Sequence, residues 1–309
     1  MPTPTPTGKL YVTSGSQNSV VRFDNAFTAN GDVAPAGNVS GTSTGLSFPV
    51  YLTLDSTADR LFVTSRGNAS IAVFDQASTK TGNVAPDRVI SGVATSLGTP
   101  TDVSLDKSRD LLYVADDLDV FVFSAASTAS GNVAVSRDIQ VGFVVSAVCV
   151  DATADRLFVA DTSGNTINVY DAASTLNGVV TPTRQISGAA TGLGHPASLQ
   201  IDGSGRLIVS NTSTASITVY NAASATGNVA PSASISGSNT GLVTPNQIAF
   251  DPTGSGTLYV ADPGAGKIAI FGSFSTATGN IAPTRTISGA STTLSTTGVN
   301  SGVAVDATR

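Results

Sequence analysis

YLTLDSTADRLFVTSRGNASIAVFDQASTKTGNVAPDRVISG, residues 51 to 92, decides the fold. Four phrases within it, YLTLD, DRLFVTS, SIAVFD and DRVISG, are rich in β-branched and aromatic residues. Asp, Asn, Gly and Pro separate them, so each reads as a strand ended by a turn. The same phrases return along the whole chain at a spacing of about fifty residues, a period that belongs to propeller blades. Six copies of the second phrase are visible: LYVTS from Leu10, LFVTS from Leu61, LYVAD from Leu112, LFVAD from Leu157, LIVSN from Leu207 and LYVAD from Leu258. The expected fold is therefore an all-β, six-bladed β-propeller with four antiparallel strands per blade. Residues 8–309 form it as one domain, and a Pro/Thr-rich tether occupies residues 1–7.

The first copy begins at GKLYVTS without the phrase that should precede it, and the chain ends on GVAVDATR, which supplies that phrase. The C-terminal strand is therefore expected to complete the blade opened by the N-terminal strands. Such closure removes the sheet edges that an open array would leave exposed.

Composition narrows the function classes. The net charge is -6 and Lys and Arg are not clustered, which argues against nucleic acid and against an anionic membrane surface as partners. No stretch approaches the eighteen or so apolar residues of a membrane span. The single cysteine, Cys149, has no partner for an intramolecular disulfide, and its setting AVCVD reads as core. One histidine, one methionine and no tryptophan leave little material for a soft-metal site. MPTPTPTG has neither the basic start nor the apolar stretch of a signal peptide, and reads as the extended tether of an exported protein.

LYVAD, a Gly/Asn turn and then INVYD or IAIFG together resemble the NHL-repeat class of propellers, and more broadly the six-bladed group that contains the gluconolactonases and paraoxonases. The resemblance covers residues 8 to 309. It implies the six-bladed ring and, for the gluconolactonase-like enzymes, a central divalent cation held by acidic and amide side chains, often with a histidine acting on substrate. A further phrase, GNVAP-x-R-x-ISG at residues 82–92 and 279–289, resembles repeats of exported bacterial proteins. It implies an extracellular, cell-surface or periplasmic location.

A repeated chain is its own control, because a feature found in every blade serves the blade. Asp55, Asp106, Asp151, Asp202, Asp251 and Asp306 close the six inner strands, and short polar residues follow them. They are expected to bond nearby backbone N–H groups rather than form a carboxylate ring. Asp116, Asp161, Asp262 and Asn211 end second strands and are expected to hold the turn that follows.

Departures are the informative positions. From the last valine of the second strand to the aromatic of the third the spacing is eleven residues in five blades, but nine from Val114 to Phe123. From the outer strand to the next inner Asp it is sixteen residues in four cases, but twelve from Ile139 to Asp151. Both connections lie on one propeller face, so their joint shortening predicts a notch over blades 3 and 4. ADDLD places Asp116, Asp117 and Asp119 there, Phe143 sits in the shortened loop, and Arg66 lies on an adjacent blade. Asp102, Asp116, Asp117 and Asp119 form a candidate Ca2+ site, since Ca2+ takes six to eight oxygen ligands.

Two residues after each inner-strand proline, or at equivalent positions, a ring of Tyr51, Asp102, Ser146, Ser198, Gln247 and Gly302 is expected at the channel mouth. Only Asp102 and Gln247 match the acidic and amide ligands that the enzyme resemblance implies. His195 precedes Pro196 without an identifiable carboxylate partner, and no serine sits in a G-x-S-x-G elbow. The reading that follows is a non-catalytic exported module that binds protein, glycan or a neighbouring subunit. A metal-dependent lactone or ester hydrolase is the alternative, and an architectural filament subunit a third.

Overall fold

The computed structural model describes residues 7–253, 256–294 and 302–309; the expected tether, apart from Thr7, lies outside them. Strands pair as the repeat requires. In blade 2 the order from the centre outward is Pro49–Asp55, Arg60–Ser65, Ser70–Asp75 and Arg88–Ile90, all antiparallel. Blades 3 to 6 repeat the pattern, starting from inner strands Pro100–Asp106, Val145–Asp151, Pro196–Ile201 and Ile248–Asp251, and in blade 3 the two-residue strand Gly178–Val179 adds a parallel outer edge. Blade 1 takes its inner strand, Val303–Asp306, from the C-terminus. Lys9 pairs with Asp306, Leu10 with Val305, Tyr11 with Ala304 and Val12 with Val303. The fold is a closed six-bladed β-propeller, as the repeat predicts.

Alternation along each strand explains why blades stack. Leu61 and Val63 pack against Tyr11, Val20 and Val39 of blade 1, while Phe62 between them packs against Val103, Leu112 and Val114 of blade 3. Side chains alternate between the two faces of a strand, so a strand covered on both faces must be apolar throughout. Six apolar clusters result, one between each pair of neighbouring blades. Leu61, Val63, Leu112, Val114, Leu157, Val159, Leu258 and Val260 are all buried in them. Cys149 packs between blades 4 and 5, and burial pushes its thiol up to about 12.

The repeated aspartates hold turns. Asp55 accepts the N–H groups of Thr57 and Ala58 (3.1 and 3.2 Å), Asp151 those of Thr153 and Ala154, and Asp306 that of Thr308. The residues that end second strands act differently from expectation. Asp116 accepts from Gly98 and Thr99 (2.8 and 2.9 Å), Asp262 from Val243 and Thr244, and Asn211 from Gly194. They hold the preceding inter-blade loop, not the following turn. Only Asp161 bonds its own turn, at Gly164 (2.8 Å), because the loop entering blade 4 is cut to residues 141–144.

The GNVAP-x-R phrase is an inter-blade clasp. Its Asn accepts a loop N–H from the blade before it: Asn83 from Ser43, Asn132 from Ala94, Asn228 from Ala190 and Asn280 from Asn239, all at 2.7 Å. Glycine is required opposite this amide. A Cβ on Gly92, whose φ is 117°, would lie 2.5 Å from Asn132 Oδ1. The Arg reaches forward: Arg88 donates to Ala126 O and Ala129 O, and Arg285 to Ala26 O and Ala29 O. In blade 4 the Asn position holds Val179, which is 84% exposed, since the shortened loop offers it no N–H to accept. Asn132→Ala is thus expected to cost about 1 kcal/mol in urea unfolding. Val179→Asn should change stability by less than about 0.5 kcal/mol.

Candidate functional site

Each inner strand presents its free edge to the channel, so backbone N–H groups there must find partners other than a strand. A bulge at the start of the inner strands of blades 2 to 5 turns one side chain per blade toward the ring, and Asp102 and Ser198 take up that role. Asp102, 3% exposed, accepts Val103 N–H at 2.8 Å and Val148 N–H of the next blade at 3.0 Å. Gln247 Oε1 accepts from Val303 (2.8 Å) and Leu52 (3.2 Å), and its Nε2 donates to Leu52 O (2.9 Å). Ser198 accepts from Ile248 (3.3 Å). These polar ring residues join neighbouring blades, and Gln247 also reaches past blade 1 to blade 2. Gly302 leaves space for the join, because a Cβ there would lie 3.0 Å from Gln247 Oε1 and 2.6 Å from Val50 O.

Tyr51 closes the mouth. Its hydroxyl crosses from blade 2 to the opposite side of the ring, where Ala197 O (2.9 Å) and Asn246 Oδ1 accept from it. Burial, with the nearby Asp102 carboxylate, raises its pKa well above that of a free phenol. Ser146 is not a ring residue. Val145 pairs with Asp161 as Pro100 pairs with Asp116, so the ring position of blade 4 is Ala147. Ser146 Oγ instead donates toward Ala160 O and Pro196 O. Counting four residues back from each closing aspartate would have found Ala147; counting from prolines did not, since blade 4 has none there.

Below Tyr51 the channel encloses about 240 Å3. Asp102, Ser198 and Gln247 are buried near its closed end, while Leu54, Leu105, Val150, Ile201, Phe250 and Val305 at the far end are half-buried. The channel therefore opens on the face opposite Tyr51.

The two shortened connections meet on the Tyr51 face. Asp116 and Asp119 are joined by a two-residue turn, Asp117–Leu118, where five blades use four residues. Val145 N–H bonds Asp117 O (2.7 Å), which fixes the shortened loop to that turn. Strand pairing then sets Gln140 beside Asp119 and Val179 beside Gln140. Leu118 (46% exposed), Val144 (53%) and Val179 thus lie along one stretch of blades 3 and 4. Phe143, expected to face a ligand, is half-buried against the core of these blades.

Burial raises the pKa of Asp119, and the nearby Asp138, Asp117 and Asp116 raise it further. Asp102 lies in the channel, apart from this group. Among the described residues no three His, Cys, Asp or Glu side chains are grouped to hold a metal ion. Arg66 lies exposed on the blade 2 turn, and so does His195 on the loop into blade 5. The sequence reading missed Asn246, Asp138, Leu118, Val144 and Val179. Val179 was recoverable from its repeat, where four other blades carry Asn.

No protein-family profile and no curated protein sequence matches the chain. Solved structures do. A chain from the crystal structure of a nidogen/laminin complex superposes with a TM-score of 0.65 at 13% identity, covering 97% of this chain and 98% of that one. A functionally unknown protein from Desulfotomaculum acetoxidans DSM 771 gives 0.61 at 11% identity, with 96% and 98% covered. Likeness at this identity extends to the fold.

Burial drives the Asp102 carboxyl up to about 7, against the lowering effect of its two N–H donors. The folded chain then keeps a proton that the unfolded chain releases near pH 4, so this group's contribution to stability falls as pH rises from about 4 to 7. Carboxylates with lowered pKa, such as Asp24, Asp106 and Asp202, act in the opposite sense and below that window. Asp102→Asn should therefore flatten the decline in melting temperature between about pH 5 and 7.5. An identical decline in variant and wild type would assign it to other groups.

Proposed function

We propose that the chain is a non-catalytic binding propeller that works outside the cytoplasm and docks a protein on the notch of blades 3 and 4. The observation that carries this reading is the row Leu118, Val144 and Val179, exposed where two loops are shortened together and bordered by Asp117 and Asp119. Apolar residues exposed together on a folded surface mark interaction sites, and a border of like charge selects among partners. The fitting partner presents apolar side chains flanked by Lys or Arg.

Two further points support it. Asp102, Ser198 and Gln247 are occupied in joining blades, which opposes their use as the ligand set of a gluconolactonase-type centre. The neighbour in the nidogen/laminin complex belongs to a protein–protein assembly, although its 13% identity speaks for the fold alone. Export rests on the resemblance of the GNVAP-x-R-x-ISG phrase, and the NHL-like strand-turn-strand phrases fit the same class of interaction module.

The test is affinity capture with wild type, with a Leu118→Lys/Val144→Lys/Val179→Lys variant and with Val93→Lys, which alters an exposed valine on another loop. A partner retained by wild type and Val93→Lys should fall at least tenfold with the triple variant. Equal retention by all three would place the interface elsewhere. Sedimentation of wild type over a concentration series tests a second copy as the partner. Cation-dependent lactone turnover that Asp102→Ala abolishes would replace this reading with the hydrolase.

A further inference from the structure

The central channel is a chamber closed at one end. Tyr51 and its partners on blades 5 and 6 block one mouth, while exposure increases toward the other. A volume of about 240 Å3 holds about eight waters or one small organic molecule. Among the described residues that line it, Asp102 alone carries a charged side chain. Each Asp102 oxygen accepts one backbone N–H, Oδ1 from Val103 and Oδ2 from Val148, and a carboxylate oxygen can accept two hydrogen bonds. One acceptor site per oxygen is therefore left for the chamber.

Nearest Tyr51 the lining includes Asp102, Ser198 and Gln247, and toward the open end half-buried apolar residues such as Leu54, Leu105 and Ile201 alternate with the half-buried polar residues Thr53, Ser104 and Gln200. A molecule that matches this lining is small and has one cationic donor head. A buried carboxylate is stabilised most by a cation that donates hydrogen bonds to it, since both the charge and the remaining acceptor sites are then met.

We propose that this chamber is a binding site for a small primary alkylammonium ion, its head on Asp102. The site is separate from the notch and lies on the other side of Tyr51. A neutral alcohol of the same shape lacks the charge-assisted bond, so it binds far more weakly.

The experiment titrates n-propylammonium and, in parallel, n-propanol into 15N-labelled protein at pH 8, where Asp102 is largely a carboxylate. Val103 and Val148 amide signals report on the carboxylate directly, since both N–H groups donate to it. The expected result is saturable shifts of these two signals with propylammonium, and an apparent affinity at least tenfold weaker with propanol. Asp102→Asn should abolish them. Gln200→Lys, which sets a competing ammonium on the half-buried chamber wall and spares Asp102, should do the same if folded by its amide spectrum. Equal response to both probes, no saturable shift at Val103 and Val148, or shifts confined to the amides of Leu118 and Asp119 would overturn the proposal.

Discussion

No blade of this ring can bury its own faces. Leu61 and Val63 on one side of a strand and Phe62 on the other both need a neighbour, and each neighbour has the same need. Only a closed circle meets that condition, so ring closure is the constraint on which everything else depends. The pairing of Val303–Asp306 with the N-terminal strand meets it within one chain, and Arg309 adds a contact to Ser56 O of blade 2. A domain with six nearly equivalent interfaces loses two of them if any one blade opens.

Closure brings a second demand, because six inner strands then turn unpaired backbone toward the axis. Asp102, Ser198 and Gln247 answer it by reaching to adjacent blades, and Tyr51 answers it by spanning the mouth. Polar residues at a propeller axis can look catalytic in a sequence, as these do. The difference lies in what they accept. Side chains whose oxygens already take strand N–H groups are held in place by the fold, and a ligand can use only the acceptor capacity that remains. Asp102 retains such capacity, whereas Gln247 Oε1 is already shared by two donors.

Much of this was legible because the chain repeats. Six copies of one strand phrase state the blade count, the unmatched ends state the closure, and the recurring aspartates state that they are turn caps. Features that depend on register were less visible. Ser146 stood in for Ala147 because the bulge that shifts the strand start has no marker in blade 4, where valine replaces proline. Asp116 was read as serving its own turn, yet its carboxylate faces the loop before it, a contact between residues that local spacing does not relate. The separation of Asp102 from Asp116, Asp117 and Asp119 has a similar cause. Asp102 is next in register to Ala115 and only one pair from Asp116, but it turns into the channel while Asp116 turns to the loop.

The changes in blades 3 and 4 are correlated, and that correlation is the argument for regarding them as one feature. Shortening the loop to residues 141–144 removes the N–H that a clasp Asn would accept, and the clasp position is Val179. It removes the loop that a second-strand carboxylate would hold, and Asp161 bonds its own turn instead. The hairpin beside it is also cut to two residues, which brings Asp117 O to Val145 N–H. Loss of one loop alone would leave Asn at 179 with an unused amide and a four-residue hairpin leaning over the gap. Three adjustments in separate stretches of chain each fit a surface without that loop. What they expose is apolar in Leu118, Val144 and Val179; among the described residues the other exposed large apolar side chains, Phe48, Val93 and Val243, stand singly on separate loops. A patch assembled from three segments in this way differs from its five counterparts in shape, charge and polarity at once, which is what a partner needs to choose one orientation on a nearly sixfold ring.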